Sequence, residues 1–86
     1  MSNVEQILLE NGLEGTAYFT DEDYEDAILG YTEDGNLVYS YEKMVEYLVG
    51  KKNIDYTDAV EWINYNVIRM IPYMGDKCPI IVYDLY

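Results

Sequence analysis

Apolar residues recur along this chain in two different rhythms. Near the start, Val4, Ile7 and Leu8 fall at i, i+3 and i+4, which predicts a short helix capped by Ser2 and ended by Gly12. A helix of about ten residues is too short to stand alone, so it is expected to lie as a lid on the core. The rhythm then loosens. Gly15 interrupts the stretch from Leu13 to Asp26, and Thr16-Ala17-Tyr18-Phe19 reads as a short strand or a turn. The run Asp21-Glu22-Asp23-Tyr24-Glu25-Asp26 reads as a solvated loop or the first turn of a helix, where negative charge is favoured.

A period of two follows. Ala27-Ile28-Leu29-Gly30-Tyr31-Thr32 and Leu37-Val38-Tyr39-Ser40 predict two strands, joined through Glu33-Asp34-Gly35-Asn36. The Asp-Gly pair favours a tight hairpin because Gly accepts positive φ. Ser40 then stands as a helix cap, with Tyr41, Met44, Val45 and Leu48 on one face, Gly50 as the stop, and Lys51-Lys52 at the negative end. A further helix is predicted from Thr57 as cap, carrying Ala59, Trp62, Ile63 and Asn66-Val67 on its stripe and running to Ile71 ahead of Pro72. Tyr73 to Lys77 reads as a connector, and Pro79-Ile80-Ile81-Val82-Tyr83 as a third strand entered by its proline. These elements predict one α+β domain over residues 1–86: a small, mainly antiparallel three-stranded sheet, hairpin plus C-terminal strand, covered by two to three helices. Which hairpin strand receives the last one is open at this level.

Composition changes the picture through charge. The 86 residues hold 17 Asp plus Glu, 5 Lys plus Arg and no His, for a net charge of −12. Half the residues are hydrophobic, enough for a core despite that charge. Direct contact with nucleic-acid phosphates or an anionic membrane is disfavoured, since both call for a basic patch. The charge is also unevenly spread. Residues 1–42 carry all of Glu5, Glu10, Glu14, Asp21, Glu22, Asp23, Glu25, Asp26, Glu33, Asp34 and Glu42 and no cation, whereas 43–86 are nearly balanced. One reading is a solubilising surface. The other is a docking face for a basic protein, built from Asp21, Glu22, Asp23, Glu25, Asp26, Glu33 and Asp34 with Tyr24 as the aromatic anchor. Tyr18, Phe19 and Tyr31 border the same cluster. Spaced carboxylates of this kind imitate a phosphate backbone and can occupy a nucleic-acid channel.

Catalytic chemistry has few starting points. Without His there is no Ser-His or Cys-His pair, and the six glycines form no phosphate-cradling loop. Asp21, Asp23 and Glu25 have the alternate spacing of a calcium loop, but Asp26 stands where its glycine belongs and Thr32 where its last glutamate belongs. No cofactor and no dedicated metal site are expected, and the chain is read as a non-enzyme. Cys78 and Met44, Met70 and Met74 read as packing residues, Trp62 as a core anchor and Arg69, the sole arginine, as an ion-pair partner. No run approaches the ~20 apolar residues of a membrane span. The opening Met1-Ser2-Asn3-Val4-Glu5 lacks the positive charge of a secretory leader, so a cytoplasmic location is expected.

Several segments together carry a resemblance: Glu25-Asp26-Ala27-Ile28-Leu29-Gly30, Asp34-Gly35-Asn36-Leu37-Val38-Tyr39, Met44-Val45-Glu46, Ala59-Val60-Glu61-Trp62-Ile63 and Pro72 to Ile81. Over roughly residues 25–83 the chain resembles small uncharacterised proteins of bacteriophages and prophages of Gram-positive bacteria. Small acidic phage proteins are, as a class, similar to inhibitors of host defence, including anti-CRISPR proteins and other DNA mimics. The resemblance implies an inhibitor acting in the host cytoplasm on a basic host protein, such as a CRISPR effector. The alternative is a structural or oligomeric domain, its tyrosines forming a subunit interface or a pocket for a small ligand or nucleotide signal.

Overall fold

The hairpin forms around its turn. In a computed structural model describing residues 4–20 and 24–85, β1 (Ile28–Tyr31) and β2 (Leu37–Ser40) pair antiparallel, with a register irregularity between Ile28 and Gly30. The Gly35 N–H donates to the Thr32 carbonyl at 2.9 Å, and the Thr32 N–H to the Asn36 carbonyl at 2.8 Å. Gly35 has φ +88°, a backbone conformation that a side chain would strain. Ala27 and Thr32 fall outside the strands. Ala27 instead closes a 3₁₀ turn, Glu25–Ala27, so the acidic run ends as a helical turn.

Helix α1 (Val4–Glu10) buries Val4 and Leu8 and leaves Ile7 at the surface. Its end comes where expected, with Gly12 at φ +69° and the Leu13 N–H donating back to the Leu8 carbonyl at 2.8 Å. The proposed cap Ser2 lies outside the described residues. Thr16 to Phe19 makes neither strand nor turn. It crosses the hairpin as an extended strap, with Thr16 Oγ1 donating to the Gly35 carbonyl at 2.9 Å and the Ala17 N–H to the Lys77 carbonyl at 3.1 Å.

Ser40 ends β2 and caps α2 (Tyr41–Lys51), its hydroxyl accepting the Lys43 N–H at 3.2 Å. Met44, Val45 and Leu48 are buried, as their spacing predicts. Gly50 does not stop the helix. The reversal is made by Asn53 at φ +55°, a conformation asparagine tolerates, and the Ile54 N–H returns to the Leu48 carbonyl at 3.3 Å. The next helix, α3 (Tyr56–Asn66), starts one residue before Thr57, with Asp55 in the cap position. It buries Ala59 and Ile63, with Val67 following, whereas Trp62 stays 37 % exposed at the edge of the stripe. The α-helix ends at Asn66 rather than Ile71. The chain continues as a 3₁₀ helix, Ile68–Tyr73, whose shorter bonds (Met70 N–H to the Val67 carbonyl at 3.1 Å) accommodate Pro72.

The last strand, β3 (Ile80–Val82), pairs parallel with β2, giving the order β1-β2-β3. Parallel pairing follows from the route: β2 leaves into α2, and α3 and the 3₁₀ helix carry the chain back to enter β3 in the same direction. The fold is α+β, a three-stranded sheet with one antiparallel and one parallel pair and three helices. Four rings run through the interior in edge-to-face contact: Tyr39 to Phe19 at 5.0 Å, Phe19 to Tyr24 at 6.3 Å and Tyr24 to Tyr47 at 5.5 Å between centroids. This row ties the hairpin, the acidic segment and α2 into one core.

Candidate protein-docking surface

The aromatic row decides the fate of the expected anchor. Tyr24 is only 2 % exposed, its ring held between Phe19 and Tyr47. An interior ring cannot reach a partner, so Tyr24 is corrected from contact residue to core residue. Phe19 is buried as well, Tyr18 is half-buried, and Tyr31 is exposed. Asp21, Glu22 and Asp23 lie outside the described residues. Phe19 and Tyr24, on either side of residues 20–23, pin both ends of the acidic segment to the core.

The remaining acidic candidates divide into two groups. Glu25 and Asp26 precede β1, whereas Glu33 and Asp34 follow it at the hairpin tip. A four-residue strand at ~3.3 Å per residue spans about 13 Å. That exceeds the ~8 Å screening length of physiological salt, so the two groups act as separate patches rather than one face.

Each patch has its own setting. Asp26 lines an open depression of about 470 Å³ with Glu46, Tyr47, Gly50 and the ammonium-bearing Lys43 and Lys51. The fold thus brings cations of the second half against the acidic run of the first. At the tip, Asn36 Nδ2 donates to the carbonyls of Cys78 at 2.8 Å and Asp76 at 3.2 Å. Lys77 Nζ donates to the Asp34 carbonyl, and the strap bonds Gly35 from the other side. These bonds clamp the tip and join the segments that carry the exposed Glu33, Asp34 and Asp76, with Lys77 between them. Asp76 was missed in the sequence because it comes from a segment far from the hairpin along the chain; no local signal marks it.

A third surface was also missed. Tyr41 and Tyr83 stack with centroids 4.7 Å apart and planes tilted by 34°. Tyr41 ionises above its ordinary value near 10.0, first because burial disfavours the phenolate and then through Tyr83, Tyr56 and Glu42 nearby. Tyr56 and Tyr83 are 59 % and 63 % exposed. Ser40 Oγ donates to Asp84 Oδ1 at 2.9 Å, fixing the chain just beyond Tyr83. No local sequence signal marks this surface, since the buried Tyr24 also stands beside acids.

Other candidates resolve more simply. Arg69 lies over the Tyr65 ring, 5.1 Å from its centroid, and this is the partner it shows among the described residues. Met44 is buried but Met70 is exposed. Among the described residues no three carboxylates or thiols are grouped to hold a metal ion, and no helix is long and apolar enough to cross a membrane. No family model, curated protein or solved structure matches the chain. Its surfaces therefore carry the functional argument.

Proposed function

We propose that this chain is a non-enzymatic inhibitor that binds a basic, nucleic-acid-binding surface of a host defence protein, such as a CRISPR effector, in the manner of a DNA mimic. The observation that carries the reading is the clamped hairpin tip, where the exposed Glu33 and Asp34 are tied through Asn36 and Lys77 to the segment of the exposed Asp76. Carboxylates held by a rigid backbone present spaced negative charge without the ordering cost of a flexible loop. Opposite charge on the partner accelerates encounter and fixes orientation. Glu25 and Asp26, which precede β1, supply a second acidic contact.

The test is capture of partners from a Gram-positive bacterial lysate on the immobilised chain, with salt-graded elution and competition by duplex DNA. A nucleic-acid-binding protein that elutes as salt rises and is released by DNA is the expected result. Reversing Glu33 and Asp34 to Lys, or Asp21, Asp23, Glu25 and Asp26 to Lys, should weaken capture at physiological salt. Capture unchanged in both variants would overturn the proposal.

One observation favours a second reading, a self-associating domain. Val38 pairs with Gly30 and Ile80 on the sheet face turned away from Leu37 and Tyr39, and Leu29 and Ile80 are exposed there. Light scattering decides it: a monomeric mass at all concentrations removes this reading.

A further inference from the structure

Tyr24 is interior and cannot anchor a partner, but the sheet end opposite the hairpin tip carries other aromatic rings. Tyr41 begins α2 immediately after β2, Tyr83 follows β3, and both strands run in the same direction, so the two rings meet at one end of the sheet. There they stack, with Tyr56 of α3 nearby. We infer that Tyr41, Tyr56 and Tyr83 form a receptor for an arginine side chain of the basic partner. This rests on the reading of the chain as a binder of basic proteins and names the side chain that would anchor it.

Three features favour a guanidinium over other occupants. A tyrosine face carries negative charge density, and a planar cation stacks on it while its edge donates hydrogen bonds to carboxylates. Glu42 lies close enough to Tyr41 to act on its phenol, and Asp84, held by Ser40 through Oδ1, directly follows Tyr83, so these two carboxylates supply the acceptors. The same negative rim repels phosphate, which weighs against a nucleotide stacking on these rings. Among the described residues no cation lies over any of the three, whereas Tyr65 is already covered by Arg69. Lys43, the nearest cation in sequence, is about 200° around α2 from Tyr41. It faces the depression with Asp26 instead.

The experiment is an NMR titration of the whole chain with three short capped peptides, Gly-Arg-Gly, Gly-Lys-Gly and Gly-citrulline-Gly, following tyrosine ring signals. The arginine peptide should shift the signals of Tyr41, Tyr56 and Tyr83 at lower concentration than the lysine peptide, and the uncharged citrulline peptide should leave them in place. Tyr83→Ala, at an exposed position, should weaken the arginine peptide about two- to fivefold while the domain stays folded. Glu42→Gln keeps all three rings and should weaken it less. Equal response to arginine and citrulline, or shifts centred on Asp26 and Glu33 with the tyrosines silent, overturns the inference. Because the peptides replace the natural partner, these outcomes stand apart from lysate capture: the receptor can fail while the acidic tip still captures, and the reverse.

Discussion

Tyr24 and Tyr83 are the same residue type, each directly beside acidic neighbours, yet one ring is 2 % exposed and the other 63 %. Tyr24 belongs to the interior row with Phe19, Tyr39 and Tyr47, whereas Tyr83 stacks on Tyr41 at the end of the sheet. The difference teaches that charge in the flanking sequence does not bring a tyrosine to the surface. What decides is whether the ring faces other elements. Residues 24–27 turn under α2, and the ring enters the core; beyond Val82 the chain leaves the sheet, and Tyr83 stacks on Tyr41, the first residue of α2.

The two aromatic regions should respond very differently to truncation. Phe19→Ala removes the middle of the interior row and should cost about 3–5 kcal/mol. Urea unfolding measures this, and the midpoint should fall far enough to leave the domain marginal. Tyr83→Ala in the same assay should stay within about 0.5 kcal/mol of the parent. Equal losses at the two positions would erase the distinction between them.

Ser40 joins the regions, since its hydroxyl caps α2 and also holds Asp84 beside Tyr83. Ser40→Ala should cost about 1 kcal/mol of stability. It should also loosen the Tyr41–Tyr83 stack, seen as reduced near-ultraviolet circular dichroism, while Tyr24 and Phe19 keep their contacts. The smallest effect is on alkaline stability. Tyr41 holds its proton more tightly folded than unfolded, so the contribution is fully present below pH 10.0 and is lost as pH rises through the higher folded value. Tyr83→Phe removes one of the causes and should bring the Tyr41 ionisation, followed by absorbance at 295 nm, back towards its ordinary range.

Much of the fold is legible in short-range pattern. The hairpin follows from Asp34-Gly35 between alternating segments, and α2 from Ser40 ahead of Met44, Val45 and Leu48. Local reading fails where two residues compete for one role. Gly50 is a plausible stop, but Asn53 reverses the chain, because Asn also adopts positive φ and the helix runs on through Lys51. Thr57 and Asp55 compete likewise for the cap of α3. Pro72 marks a break correctly, yet the helix tightens before it instead of running up to it.

For the candidate surfaces, the sequence by itself determined the sign of the charge and its concentration in residues 1–42, because composition and order are fixed before folding. It also determined that a core exists and which helix stripes enter it. Only the tertiary structure decided which carboxylates stand together. Short-range periodicity says which side of an element faces inwards, but the parallel return of β3 and the strap at Thr16 depend on contacts between segments dozens of residues apart. Those contacts brought Asp76 to the hairpin tip, set Lys43 and Lys51 beside Asp26, and closed Tyr83 onto Tyr41.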